Sequence, residues 1–131
     1  MGDATEALQI AISRPSANVV LVVLTGELDL VSSGDFARQL EAVLIEPAAL
    51  VVVDLAGVAF IDSSGLHTLV QMARQVESNS GIAVLAAPAL ATRRVFEIAR
   101  IGDIVPVAQS REEALARRST AAPPGPADGQ R

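Results

Sequence analysis

Short aliphatic runs alternate along the chain with segments whose apolar residues recur every three or four positions. Residues 8–12, Leu-Gln-Ile-Ala-Ile, alternate weakly and predict a strand with one polar face. Residues 19–24 are six consecutive aliphatic residues, the signature of a central strand buried on both faces. The loop between them, residues 14–18 with Pro15, is short enough to make the pair an antiparallel hairpin. Thr25-Gly26-Glu27-Leu28-Asp29 breaks the run. A helix follows, with Ser32 or Ser33 as its cap, Phe36, Leu40, Val43 and Leu44 as its apolar stripe, and Pro47 as its stop.

Residues 50–55 predict the third strand. A helix after Ser64 carries Leu66, Leu69, Val70, Ala73 and Val76 and runs to about Ser78, where Asn79-Ser80-Gly81 stops it. Met72 falls off that stripe and is expected at the surface. Residues 82–86 predict a fourth strand. Pro88 suits the first turn of a third helix that reaches about Arg100. Ile101-Gly102-Asp103 ends that helix, and residues 104–107 predict a short final strand. Ser110 caps a last helix, with Glu112 and Glu113 in its first turn and Arg117 and Arg118 in its last. Aperiodic Ala, Pro, Gly and Asp follow. Residues 1–118 are therefore expected to form one domain and residues 119–131 a disordered tail. The order β-β-α-β-α-β-α-β-α predicts an α/β fold: a mixed β-sheet covered by helices, with parallel strands wherever a helix intervenes.

Composition narrows the function. Half of the residues are hydrophobic, yet there are only three Phe and no Trp or Tyr, so the core is aliphatic and no aromatic platform for stacking bases exists. A formal net charge of -5 disfavours nucleic acid and anionic membranes as partners. All ten basic residues are Arg, a usage typical of a GC-rich bacterial genome. The absence of Cys excludes disulfides and thiolate chemistry, and a single His argues against a metal centre. The first residues lack the basic segment of a signal peptide. The longest apolar stretch, residues 42–61, is interrupted by Glu46, Pro47 and Asp54, which rules it out as a membrane span. A cytoplasmic location is expected. No phosphate-binding loop or dinucleotide fingerprint is present, so no nucleotide cofactor is expected. Arg93 and Arg94 read as a solvated helix face.

The chemistry concentrates in Asp62-Ser63-Ser64-Gly65-Leu66, where the third strand hands over to a helix at the carboxyl edge of the sheet. A helix N-terminus offers unpaired N–H groups and the positive end of the helix dipole. A serine there can cap the helix or carry a phosphate. In the plain reading, Asp62 or Ser63 is only a cap and Gly65 relieves crowding. Another reading is a small hydrolase built on Ser63, His67 and Asp54. His67 lies four residues after Ser63, but the nucleophile elbow is missing and an i,i+4 helical pair is a poor triad geometry. Otherwise His67 is an exposed helix residue.

Gly26-Glu27-Leu28-Asp29, Val53-Asp54-Leu55, the run from Val58 through Asp62-Ser63-Ser64-Gly65-Leu66, and Arg94-Val95-Phe96-Glu97 occur in an informative order. Together they resemble the STAS domain of bacterial anti-anti-sigma factors (anti-sigma factor antagonists). The likeness covers roughly residues 8–115. It implies that Ser63 is phosphorylated by a partner anti-sigma factor that is an ATP-dependent serine kinase. The unphosphorylated protein would bind that partner and free a sigma factor. Phosphorylation would end the binding, and a PP2C-type phosphatase would restore it. Asp29, Asp62, Ser64, Gly65, Leu66 and His67 would form the contact edge of a regulator that is not an enzyme. The same fold also hosts non-phosphorylated scaffolds, of the stressosome type or as accessory subunits of lipid transporters. Ile98-Ala99-Arg100-Ile101-Gly102 lacks the small Ser-Gly pair that some relatives carry after the third helix, a departure that bears on partner choice.

Overall fold

The computed structural model describes residues 8–121, with side chains through residue 117. Its elements are β1 (Gln9–Ser16), β2 (Val19–Leu28), α1 (Leu30–Val43), β3 (Leu50–Ile61), α2 (Ser63–Ser78), β4 (Ile82–Ala86), α3 (Leu90–Ile98), β5 (Val107–Ala108) and α4 (Arg111–Ala121), with a 3-10 turn at Ile101–Asp103 before β5. The predicted element order and the α/β class are both observed. The five strands lie in sequence order, β1-β2-β3-β4-β5. β1 and β2 are antiparallel, and every later pair is parallel.

Side-chain alternation divides the strands between two faces. Val20, Val22 and Leu24 of β2 and Val51, Val53 and Leu55 of β3 pack with Phe36 and Leu40 of α1, Leu69 and Val76 of α2, and Phe96 of α3. Val19, Leu21, Leu50, Val52 and Val84 point the other way, against Ala114 of α4. Three helices thus cover one face and α4 the other, which is why the central strands read as unbroken aliphatic runs. Met72 is buried with Leu69 and Val76, against the expectation of a surface position. The α2 stripe is one residue wider than its Leu and Val positions suggested, and the unbranched thioether fills the extra space.

Strand ends depart most from the sequence reading. β1 runs through Pro15 to Ser16, so the connection to β2 is only Ala17 and Asn18. β1 is an edge strand and its register with β2 is irregular between Ser13 and Ser16, the kind of position at which a strand tolerates a proline. β2 continues past Leu24 to Leu28, and β3 past Leu55 to Ile61. The register shifts twice along these extensions, between Val23/Thr25 and between Gly26/Glu27. Each shift gives β3 an extra residue opposite β2, as in a β-bulge. Gly26 takes φ 118°, and a Cβ on Gly57 would lie 3.0 Å from Thr25 Oγ1, so both bulges use glycine where a side chain is strained or crowded. The predicted last strand shrinks to Val107–Ala108 because Ile101–Asp103 and Ile104 continue as turns.

Helix ends follow local donors and acceptors. α1 stops at Val43, before Pro47; Nη2 of Arg14 donates to the carbonyls of Val43 (3.0 Å) and Glu46 (2.9 Å) and so satisfies its C-terminus. α3 starts after Pro88 and Ala89 and stops at Ile98, two residues before the predicted end; Arg100 then turns the chain at φ 57°. Ser110 caps α4 as expected, its hydroxyl accepting from Glu113 N–H at 3.0 Å. α4 continues through Ser119 to Ala121, and the rest of the expected tail lies outside the described residues.

Asp54 is buried on the α4 face. Its Oδ2 accepts from Arg111 Nε at 2.8 Å and its Oδ1 from Ala56 N–H at 2.9 Å. Ala114 is the one fully buried side chain that α4 contributes among the described residues, so this ion pair is its main polar anchor. Removing Arg111 strands a buried carboxylate, whereas removing Asp54 leaves a half-exposed guanidinium that water can reach. Arg111→Ala should therefore destabilise by about 2–4 kcal/mol and Asp54→Ala by about 1–2 kcal/mol in urea titrations. The reverse ranking would show that the pair does not anchor the helix.

Candidate functional site

The two bulged strands end side by side, and each delivers an aspartate to a helix N-terminus. Asp29 is the N-cap of α1 in place of the predicted Ser32 or Ser33. Its Oδ1 accepts from Val31 N–H (3.1 Å), Ser32 N–H (3.0 Å) and the Ser32 hydroxyl. Ser32 completes a capping box by accepting from Asp29 N–H at 2.9 Å. The hydroxyl of Ser33 donates to the Asp29 carbonyl inside the helix. The hydrogen bond from Ser32 N–H, then that from the Ser32 hydroxyl, hold the Asp29 carboxyl below its ordinary 3.8.

Asp62 is the N-cap of α2. Its Oδ1 accepts from Gly65 N–H at 3.0 Å, and its Oδ2 accepts from Leu30 N–H at 3.2 Å. One carboxylate thus closes the starts of both helices. The backbone repeats the link, with Asp62 N–H donating to the Leu28 carbonyl at 3.3 Å. Because Asp62 supplies the cap, neither serine has to. Ser63 is the first helical residue; its side chain is exposed, and no hydrogen bond engages its hydroxyl among the described residues. Ser64 is half-buried, and its carbonyl accepts from the Thr68 hydroxyl. Burial separates two serines that position alone does not.

Gly65 sets how closely α2 approaches β2. A Cβ there would sit 2.5 Å from the Leu28 carbonyl oxygen and 2.8 Å from Ile61 Cγ1. Neighbouring backbone cannot yield as a side-chain tip can. Leu66 is half-buried against the core, and His67 is exposed. Ser63, Ser64, His67 and Thr68 of α2 face Leu30, Ser33, Gly34 and Ala37 of α1 across a shallow groove. Leu30, which lines the groove, and its chain neighbour Val31 are 73 % and 86 % exposed. That apolar pair left no signal in the sequence, because α1 was expected to begin later and these residues to lie in a loop.

All the expected contact residues therefore gather on one edge: Asp29, Asp62, Ser63, Ser64, Gly65, Leu66 and His67. Their roles differ. Asp29, Asp62 and Gly65 build the edge, while Ser63 and His67 are displayed on it. Asp54 does not join them, since it points through the opposite face of the sheet to Arg111, so a Ser63–His67–Asp54 triad does not assemble. A larger cavity of about 950 Å³ lies between α3, the 3-10 turn and β5, where Arg100 is already paired with Asp103 at 2.8 Å. Among the described residues no cluster of three His, Asp or Glu side chains could hold a metal, and no helix is long and apolar enough to cross a membrane.

A mixed sheet with one antiparallel edge, three helices on one face and capped helix starts at the strand ends defines a STAS-type module. The STAS domain model matches residues 12–114, and the chain belongs to that family. It is 32% identical over 105 residues to BtrV of Bordetella bronchiseptica, a protein assigned by its name to the anti-sigma factor antagonists; the match spans 80% of this chain and 90% of BtrV. An anti-sigma factor antagonist from Mycobacterium paratuberculosis superposes with a TM-score of 0.78 at 23% identity, covering 87% of this chain and 96% of that one. The unphosphorylated form of the antagonist SpoIIAA superposes with a TM-score of 0.73 at 23% identity, covering 86% and 97%.

Two outcomes test this construction. Gly65→Ala should destabilise by roughly 2–3 kcal/mol in denaturant titrations, because overpacking against backbone outweighs the better helix propensity of alanine. A neutral result would mean that α2 is not seated as described. The depressed Asp29 carboxyl contributes stability that is complete above about pH 4 and is lost as pH falls through its lower folded-state value. Asp29→Asn, a competent neutral cap, should flatten the stability profile below about pH 4; an unchanged slope would remove Asp29 from the acid response.

Proposed function

We propose that this protein is an anti-sigma factor antagonist controlled by phosphorylation of Ser63. In its unphosphorylated form it binds an anti-sigma factor that is also a serine kinase, and so frees a sigma factor in the bacterial cytoplasm. Phosphate on Ser63 ends the binding, and a PP2C-type phosphatase restores it. The protein contributes a surface to this cycle and no catalysis of its own.

The observation that carries the reading is the free, exposed Ser63 hydroxyl at the first position of α2, beside a carboxylate that does the capping. A kinase can reach that hydroxyl without dismantling the helix. The N–H groups and dipole of the helix start tolerate the added charge of about -1.5 to -2. The same charge, beside Asp62 and the exposed Leu30 and Val31, is a desolvation penalty for any partner shaped to a neutral hydroxyl. The names borne by BtrV and by the similar structures support the same partner class.

Intact-mass measurement after incubation with ATP and the candidate kinase should show one added phosphate on the wild type and none on Ser63→Ala. A phosphate that persists in Ser63→Ala would sink the site assignment. Ser63→Glu should keep its circular dichroism spectrum and unfolding midpoint but bind the kinase at least about 100-fold more weakly, equivalent to about 2.8 kcal/mol. An unfolded Ser63→Glu would replace the interface switch with a folding switch.

A further inference from the structure

His67 and Ser63 line the same groove from the same helix, one turn apart. Helical side chains lean toward the N-terminus, so His67 covers the surface over the turn that begins with Ser63. Side chains four apart on a helix have Cβ atoms about 5–6 Å from one another, within reach of an imidazole and a phosphoserine. His67 is exposed, and no ion pair engages it among the described residues.

The two carboxylates beside the groove are committed to backbone donors. Asp62 accepts from Gly65 and Leu30, and Asp29 from Val31 and Ser32. On α1, Arg38 folds back over the groove-lining Gly34, its Nη1 lying 3.6 Å from where a Gly34 Cβ would stand, and it pairs with Asp35 at 3.4 Å. That exposed pair is weak, but Arg38 belongs to α1; of the residues that line the groove, His67 is the one that can carry a positive charge, and it does so from the serine-bearing helix.

We propose that His67 is the counter-charge for a phosphoryl group on Ser63, donating to it across the first turn of α2 and favouring the phosphorylated form as the imidazole protonates. This rests on Ser63 as the phosphoacceptor and adds regulation of that site. An imidazolium beside the phosphate stabilises the dianion, and the dianion stabilises the imidazolium, so each shifts the titration of the other by an equal and opposite amount. The cell's pH near neutrality would then bias how long the protein stays in its phosphorylated state.

The chain holds a single histidine, so its imidazole proton gives one resonance to follow by NMR. The test uses the full chain with phosphoserine installed at position 63 during translation, which needs no kinase. On phosphorylation the His67 midpoint should rise. The second phosphate midpoint, read by phosphorus NMR, should lie lower by a similar amount than in the phosphorylated His67→Gln protein, whose backbone spectrum reports an intact fold. A His67 midpoint unmoved by phosphorylation, or a phosphate midpoint identical in His67→Gln, would overturn the proposal. A kinase that places phosphate elsewhere would overturn the acceptor assignment alone, because the installed phosphoserine titrates regardless.

Discussion

The Asp62 carboxylate is the constraint on which the rest of this edge depends. It accepts from Gly65 N–H of α2 and from Leu30 N–H of α1, and so closes two helix starts with one side chain. A helix N-terminus leaves several donors unpaired, and a buried or crowded one must find acceptors for them. Two such ends meet here because the bulges that shift the β2–β3 register bring Leu28 and Ile61 into register. Without a shared acceptor the juxtaposition would leave unpaired donors from two helices facing each other. With it, the serine after Asp62 is freed from structural duty. A serine at the cap position would have its oxygen committed to backbone N–H groups, and phosphate there would compete with the cap. One residue later, the hydroxyl is a substituent on an already closed helix.

Much of this was legible in the chain. The aliphatic runs at residues 19–24 and 50–55 lie in the central strands, and residues 82–86 are β4 to the residue. These are strands buried on both faces, where continuous apolarity leaves little choice. The D-S-S-G-L segment was legible as a strand-to-helix handover, and Gly65 as a relief of crowding. The bulges were not. Gly26 and Gly57 interrupt the hydrophobic pattern, and an interrupted pattern reads as the end of a strand rather than a shift in its register. With β2 expected to end at Leu24, Asp29 reads as a loop residue and the cap of α1 falls to Ser32 or Ser33. The same expectation hides Leu30 and Val31, whose exposure matters only because they lie on the first turn of a helix. Met72 reads as a surface residue for a different reason: a methionine beside Ala73 widens an apolar stripe without the Leu–Val spacing that announces it.

The sheet also keeps two charged systems apart. Alternation along β3 sends Asp54 to the α4 face, while the strand's end delivers Asp62 to the α1–α2 face. Asp54 is buried and paired, a structural carboxylate that holds α4 to the sheet. Asp62 is half-exposed and bonded only to backbone. The separation removes the carboxylate that a serine–histidine hydrolase would require. It also leaves the anchor of α4 indifferent to charge added at position 63, since the full thickness of the sheet lies between them.

What remains at the edge is a balance of charges in which small changes count. Asp29 and Asp62 are spent on backbone donors, and neither can move toward a new anion without uncapping a helix. Added negative charge on Ser63 must therefore be met by the free N–H groups of the first turn, by water, or by a cation that can swing into the groove. On the proposed reading, the helix dipole would make the first of these cheap enough for the fold to tolerate a phosphate. A docked partner would remove the second, because closing the groove over Leu30 would expel the water that solvates a dianion. The proposed switch would thus work through the difference between two environments of one oxygen: open to solvent, where a phosphate would be held at little cost, and covered, where it would not.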